Sequence, residues 1–342
     1  MRMLPLVRPT NKLLYFDPPV GPTGGYLGRS ALILTVTIHP ALDKIIRLPR
    51  LRPNDAVRAR IEMVYGGGKG NNAARALTRL GVPVTATGFQ GGYTGDLLIQ
   101  QFAFEGVHTA FMICRAHTRT SLMIVEEETG QTYAIYEPGQ KVEADELEKF
   151  RNHFLHLLDK AKLVLFCGSG QTPELAALHF DLIQSAEERG IPCGLDSSGI
   201  SLREGARAKP RLLKVNRDEL AELVGHPLAS RQDQVQAMLE MYRSGIEWVA
   251  LSRGREGLLV TDGATCLEGV LVIENVVNVM GCGDSLLAGM ASMMLENGNL
   301  ESVARRGVAC GAANTQVIGA GFIDPALVQQ LEAQVVLRKI EL

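Results

Sequence analysis

From about Val142 onward, short apolar runs alternate with longer stretches of helical spacing, and few folds accommodate that rhythm. Helix 143–160 leads to the run Leu163–Cys167, and helix 173–189 leads to Pro192–Asp196. Leu212–Val215 leads to helix 217–223, and helix 231–244 leads to Trp248–Ser252. Such alternation predicts a mainly parallel sheet with helices on both faces. The first half fits the same plan in part. Ala31–Ile38 and Val82–Phe89 read as strands, and Asp96–Glu105 reads as a helix. Gly70–Leu80 puts Ala74, Leu77 and Leu80 on one helical face, with Gly81 closing it. Two segments break the rhythm. Lys44–Leu48 and Ala56–Tyr65 alternate apolar and polar residues, and Thr118–Val125 and Gln131–Tyr136 flank a turn at Thr129-Gly130. These predict a small separate sheet, with strands within about 44–65 and 118–136, suited to lie over a site as a lid.

Bulk composition narrows the function. The 342 residues are 46% hydrophobic and 21% charged, an ordinary globular balance with room for one large domain and an appended piece. A net charge of −2 gives no bulk attraction to nucleic acid or a membrane surface, so any anion binding is local. The six cysteines, Cys114, Cys167, Cys193, Cys266, Cys282 and Cys310, are widely spaced. With no C-x-x-C pair they signal neither zinc nor a redox motif, and they read as reduced residues of a cytoplasmic protein. No apolar stretch reaches the roughly 20 residues of a membrane helix. Residues 1–30 are rich in Pro and Gly and lack the apolar core of a signal peptide. They are expected to be an irregular extension, or the product of an upstream start codon, ahead of one domain over 31–342.

In an open parallel sheet, ligands sit beyond the carboxyl ends of the strands. Polar clusters recur there: His39 to Asp43, Asp196 to Gly199, Asn216 to Glu219 and Ser252 to Gly257. The last of them, Gly281-Cys282-Gly283-Asp284, opens an apolar helix. Two glycines at a helix N-terminus can turn backbone N–H groups toward one anion. Asp284 would stand beside that anion as a proton acceptor, although it could equally serve as a plain N-cap. Gly66-Gly67-Gly68-Lys69-Gly70-Asn71-Asn72 precedes another helix. It has neither Walker A spacing nor the dinucleotide pattern. Its glycines allow close approach of a polyhydroxy ligand, with Lys69 and Asn72 as polar contacts.

These segments together resemble the ribokinase-like sugar kinases of the phosphofructokinase B type. GGGKGNNAARALTRLG resembles their N-terminal signature, and NVMGCGDSLLAGM their C-terminal one, with GCGD for GAGD. LKVNRDEL resembles the K-x-N-x-x-E segment, and LSRGREG the S-x-G-x-x-G segment on the nucleotide side. The likeness runs from about Leu34 to Leu337. It implies a ribokinase-like α/β fold, with ATP and Mg²⁺ as cofactors. It also implies a role for each matching position. Asp284 is the general base, and the amides around Gly281, Cys282 and Gly283 form the anion hole. Asn216 and Glu219 organise Mg²⁺, largely through water. Lys214, Asn216, Ser252, Gly254, Gly257 and Asn314 lie on the nucleotide side. Asp43, Gly68, Lys69 and Asn72 hold the sugar.

Within that family the chain looks most like the phosphosugar branch of 1-phosphofructokinase, tagatose-6-phosphate kinase and the minor-type 6-phosphofructokinase. Arg119, in Thr118-Arg119-Thr120, matches a lid arginine that grips the substrate phosphate. Arg58 falls near another such position on the earlier lid strand. Arginine suits a phosphate through its charged, two-pronged geometry. Fructose 1-phosphate is the expected acceptor, ahead of tagatose 6-phosphate and fructose 6-phosphate. The rivals are a kinase of a free sugar or nucleoside and a non-catalytic sensor. Three features depart from the branch: His39 stands for Asn before Pro-Ala, Gly168-Ser169-Gly170-Gln171-Thr172-Pro173 stands for G-S-L-P, and Met280 and Cys282 flank the anion hole. A lid with open edges allows a homodimer.

Overall fold

The computed structural model of the chain describes residues 32–170 and 172–341. The expected extension at 1–30, Ala31 and Gln171 lie outside the described residues. In chain order the elements are β1 (Leu32–Thr37), β2 (Ala41–Leu48), β3 (Arg60–Gly67), α1 (Lys69–Arg79), β4 (Val84–Gln90), α2 (Gly92–Glu105) and two short strands, β5 (His108–Thr109) and β6 (Met112–Ile113). There follow β7 (Arg119–Glu126), β8 (Thr132–Tyr136), α3 (Ala144–Leu158), β9 (Ala161–Cys167), α4 (Pro173–Glu187), β10 (Cys193–Asp196), α5 (Gly199–Arg207) and β11 (Leu212–Asn216). The rest comprises α6 (Arg217–Val224), α7 (Arg231–Arg243), β12 (Trp248–Ser252), β13 (Leu258–Thr261), β14 (Cys266–Val270), α8 (Cys282–Leu295), α9 (Leu300–Asn314), α10 (Pro325–Glu332) and β15 (Val336–Ile340).

The main sheet runs β5-β4-β1-β9-β10-β11-β12 in parallel, and β13, β14 and β15 extend it antiparallel. Its strands are apolar throughout because successive side chains enter two different cores. Leu163 and Leu165 face one core with α1, α2, α8, α9 and α10; Val164 and Phe166 face the other with α3 to α7. The ribokinase-like α/β fold is therefore present, with helices on both faces.

The second sheet has the order β3-β2-β7-β8. β2 pairs antiparallel with β3 and parallel with β7, and β7 pairs antiparallel with β8. Its strands begin closer to the site than the sequence pattern implied: β2 starts at Ala41 rather than Lys44. One face packs Ile45, Tyr65 and Met123 against Ala320, with Phe322 and Met280 alongside. That contact holds the small sheet over the N-terminus of α8. All six cysteines are free, and all but the half-buried Cys282 are buried.

Candidate active site

Register brings the polar strand ends together. Thr37, Cys167 and Asp196 lie side by side at the carboxyl edge, as do Asn216 and Ser252. The N-terminus of α8 meets this edge. Gly281 is its N-cap, with φ 78°, and a Cβ there would fall 2.3 Å from the Ala320 Cβ. Both facts demand glycine. Ser285 N makes the first helical bond, to Gly281 O at 2.9 Å. The N–H groups of Cys282, Gly283 and Asp284 therefore have no partner within the helix, which is the arrangement expected of an anion-binding turn.

Asn314, expected on the nucleotide side, is fully buried. Its Nδ2 donates to Met280 O at 2.7 Å, and its Oδ1 accepts from Ser285 Oγ (2.9 Å) and Gly321 N (2.7 Å). An amide that bonds Met280, Ser285 and Gly321 at once ties the start of α8 to the segment that follows α9.

Asp284 sits at this turn, 7% exposed, with Asn72 Nδ2 donating to its Oδ2 at 2.8 Å. Burial, and then the nearby Asp196 charge, push its pKa up to about 6, against the pull of Lys69 and the Asn72 bond. Asp196 is the residue the sequence reading noticed but gave no role. It is fully buried and binds two ammonium groups: Lys69 Nζ on Oδ1 and Lys214 Nζ on Oδ2, each at 2.7 Å. Burial opposes its charge, yet Lys214 and Lys69 outweigh that and hold its carboxyl below the ordinary range. A Cβ on Gly283 would lie 2.7 Å from Lys214 Nζ, so this lysine abuts the anion-binding turn. Lys69, expected among the sugar contacts, instead reaches Asp196 and Glu219, the latter at 3.3 Å. Two lysines and three free amides thus converge beside one buried carboxylate.

The lid closes the other side. Asp43 on β2 lies in register with Tyr65 on β3 and Ser121 on β7. Its carboxyl packs on Gly67, where a Cβ would fall 2.1 Å away. Burial pushes its pKa up to about 6, and it senses the charges of both Arg119 and Asp284. Together with Tyr65, Ser121, Tyr136 and Met280 it lines a cleft beneath the lid. Gly68 shapes the backbone, with φ 108° at the N-cap of α1. Arg119 opens β7; its Nη1 donates to Glu137 O at 3.2 Å, and its Nε is buried without a hydrogen bond.

Arg58 does not join them. It lies in the exposed connection between β2 and β3, beyond the register pair Arg47–Arg60, at the far tip of the lid from Asp43. Residues 56–59, which the alternating pattern assigned to the strand, instead continue the connection after the Pro53-Asn54 turn, and the strand starts at Arg60. His39 is buried at the end of β1; burial, then the charge of Arg119, lower its pKa to about 4, so its ring is neutral.

Asn216 and Glu219, expected on the nucleotide side, close a capping box at the start of α6. Glu219 N donates to Asn216 Oδ1, and Asn216 N donates to Glu219 Oε2. The other Glu219 oxygen holds Lys69. Among the described residues no three His, Cys, Asp or Glu side chains cluster as a metal cage. That donor set fits Mg²⁺ held mainly by phosphates and water, the habit of this ion. Ser252 ends β12, and the Gly254–Gly257 turn has φ 58° and 86° at its two glycines. Val272, Val276, Val277 and Val279, which the sequence reading passed over, expose apolar side chains just before the anion-binding turn. Their signal was the valine-rich run itself.

Comparison with known proteins gives the family. The profile of the pfkB family carbohydrate kinases matches residues 41–327. The tetrameric inhibited form of Escherichia coli phosphofructokinase-2 superposes with a TM-score of 0.82 at 30% identity, over 89% of this chain and 98% of that one. A possible 1-phosphofructokinase from Thermotoga maritima shares the fold, with a TM-score of 0.81 at 24% identity over 91% of this chain and all of that one. Among the described residues no helix is long and apolar enough to cross a membrane. The chain belongs to the pfkB family of carbohydrate kinases and is an ATP-dependent sugar kinase.

Proposed function

We propose that the enzyme transfers the γ-phosphoryl group of ATP to a hydroxyl of a phosphorylated ketohexose, with fructose 1-phosphate as the preferred acceptor and fructose 1,6-bisphosphate as product. The supporting observation is the placement of Asp43, which senses both Asp284 and the Arg119 guanidinium, whose Nε is buried without a hydrogen bond. A sugar on Asp43 would present one hydroxyl to the base and its own phosphate to the arginine. Asp284 takes the proton of that hydroxyl as it attacks in line. The amides of Cys282, Gly283 and Asp284, with Lys69 and Lys214, stabilise the charge that develops on the transferred group. Mg²⁺ would supply further charge neutralisation on the ATP phosphates, near Asn216 and Glu219. Ser252, Gly254 and Gly257 would border the nucleotide, and the exposed valines offer an apolar face for its base. The lid excludes water that would otherwise accept the phosphoryl group.

The GGGKG and Thr-Arg-Thr segments favour fructose 1-phosphate. Fructose 6-phosphate is the second reading, because the E. coli phosphofructokinase-2 described above has also been solved in complex with it. Tagatose 6-phosphate follows. An ADP-release screen across these three, fructose and ribose decides the matter; turnover of a free sugar above all three phosphates would overturn the proposal. The outer lid face carries exposed Ile61, Tyr133 and Ile135. A second copy of the chain in a cytoplasmic homodimer would cover them, and the neighbouring phosphofructokinase-2 is a tetramer in one form.

Two outcomes are expected here. A base with a pKa near 6 is ionised at neutral pH and protonated below, so kcat/KM should fall as pH drops through about 6. A profile flat down to pH 4.5 would remove Asp284 from that role. In Glu219→Gln the carboxylate that both caps α6 and holds Lys69 loses its charge. The Mg²⁺ concentration for half-maximal rate should rise about threefold to tenfold, the scale of one ordinary hydrogen bond made through water. An unchanged Mg²⁺ titration would leave Glu219 a helix cap only.

A further inference from the structure

Arg75, on α1, is fully buried, and the described interior holds no larger side chain. Burying a guanidinium is unfavourable unless every donor is used, and an apolar side chain of similar volume would fill the space without that penalty. Arg75 uses its donors on four groups. Nε binds Glu105 Oε2 at 2.5 Å, Nη2 binds Gly66 O at 2.6 Å, and Nη1 binds Ala320 O at 3.0 Å and Asn72 Oδ1 at 3.2 Å. The rings of Phe322, Tyr65 and Phe102 surround it, with centroids 4.5, 5.1 and 5.4 Å from Cζ. The guanidinium can therefore neither rotate nor withdraw.

Three of those four acceptors frame the reacting centre. Gly66 is where the lid strand β3 runs into the glycine turn that supports Asp43. Ala320 packs against Gly281, the cap of the anion-binding turn. Asn72 donates to Asp284. The last is the most consequential, because a carboxamide has nearly the same shape in either orientation. Arginine has only donors, so the Asn72 oxygen must face Arg75 and the Asn72 NH₂ must face Asp284. Turned over, the amide would set its oxygen against the carboxylate and favour the protonated acid.

We propose that Arg75 is a positioning residue for phosphoryl transfer: it locks the Asn72 carboxamide so that Nδ2 donates to Asp284 Oδ2, which keeps the base ionised and leaves Oδ1 to take the proton. This rests on Asp284 being the base, a reading that Asp284→Asn tests separately. The groups bearing on Asp284 are Lys69 and Asn72 from α1, Asp196 from β10, Lys214 from β11, Asp43 from β2 and Tyr65 from β3. Arg75 also bears on Asp43 and Tyr65 through its charge, so the charge-keeping Arg75→Lys variant and Asn72→Ala are what tie a shift in the titration of the base to the amide.

The test compares kcat/KM against pH for the wild type, Arg75→Met, Asn72→Ala and the double variant. Arg75→Met should lower kcat by about tenfold or more, the scale of one lost hydrogen bond to a charged group, with the ATP KM nearly unchanged. Its acid limb should move up by roughly half a pH unit or more. Asn72→Ala should move it similarly, and the double variant no further, because both remove the same bond. Arg75→Lys keeps the charge but spreads one ammonium over acceptors that a planar fork served together. It should recover part of the rate with a smaller upward shift, and it carries the test if the methionine variant does not fold. An acid limb that stays at the wild-type position in a folded Arg75 variant would overturn the proposal. So would shifts that add in the double variant. If Asp284→Asn retains full turnover, the reading beneath it fails as well, and the two failures are told apart.

Discussion

Asp284→Asn is expected to lose about 10²–10⁴-fold in turnover while binding ATP almost normally. Asparagine fills the same space beside Asn72 but cannot accept the proton of the attacking hydroxyl. The amides of Cys282, Gly283 and residue 284 are backbone groups, so the anion-binding turn survives the change. Stability gives an independent control. The Asp284 carboxyl has a pKa near 6 in the folded protein, above its ordinary value of 3.8. Between those values the folded state binds more protons than the unfolded one. Stability therefore falls as pH rises through this window, and at pH 7 the ionised carboxylate is a net burden on the fold. The neutral variant should melt no lower than the wild type at pH 7. Normal melting with lost turnover separates a missing base from a damaged site. Near-wild-type turnover in the purified variant would end the assignment.

Much of the site was legible in the sequence for one physical reason. Parallel strands deliver their carboxyl ends to one edge, so the sequence alone gathers His39, Asp196, Asn216, Ser252 and the Gly281–Asp284 turn there. Long-range partners were not legible. Lys69 follows three glycines and suggests a sugar contact, but its acceptors lie 127 and 150 residues away. Asp196 looks like any turn residue at a strand end until two lysines are found on its oxygens. Arg75 occupies a helix of ordinary spacing, and nothing local marks it as buried. Arg58 was misplaced because apolar and polar residues alternate through Ala56–Arg60, whereas the connection that follows the Pro53-Asn54 turn runs on to Ala59 and the strand starts only at Arg60. Asn314 follows the same rule. Its residue type suggests a ligand contact, and only the fold shows that its hydrogen bonds go to Met280, Cys282, Ser285 and Gly321.

Arg119→Ala should raise the apparent KM for the phosphorylated sugar about tenfold to hundredfold, corresponding to roughly 1.5–3 kcal/mol for a hydrogen bond to a charged group. The expectation rests on the state of this side chain. One guanidinium nitrogen is spent on Glu137 O, while Nε is buried with no hydrogen bond, an arrangement that a bound anion would complete. Its position at the start of β7, in register with Ala41 on β2, sets it on the lid side of Asp43. The anion-binding turn and the two lysines lie on the other side, so the KM for ATP should hardly move. A free sugar, if turned over at all, should be indifferent to the change because it brings no phosphate to that guanidinium. Damage to the lid would behave differently: it would raise KM for every acceptor, phosphorylated or not, and admit water, which shows as ADP release without acceptor. The selective rise therefore discriminates where a simple loss of activity does not. If the phosphosugar KM is unchanged in Arg119→Ala, or rises only in step with that for ATP, the acceptor's phosphate does not sit at Arg119. The kinase of a free sugar then becomes the better account of the cleft beneath the lid.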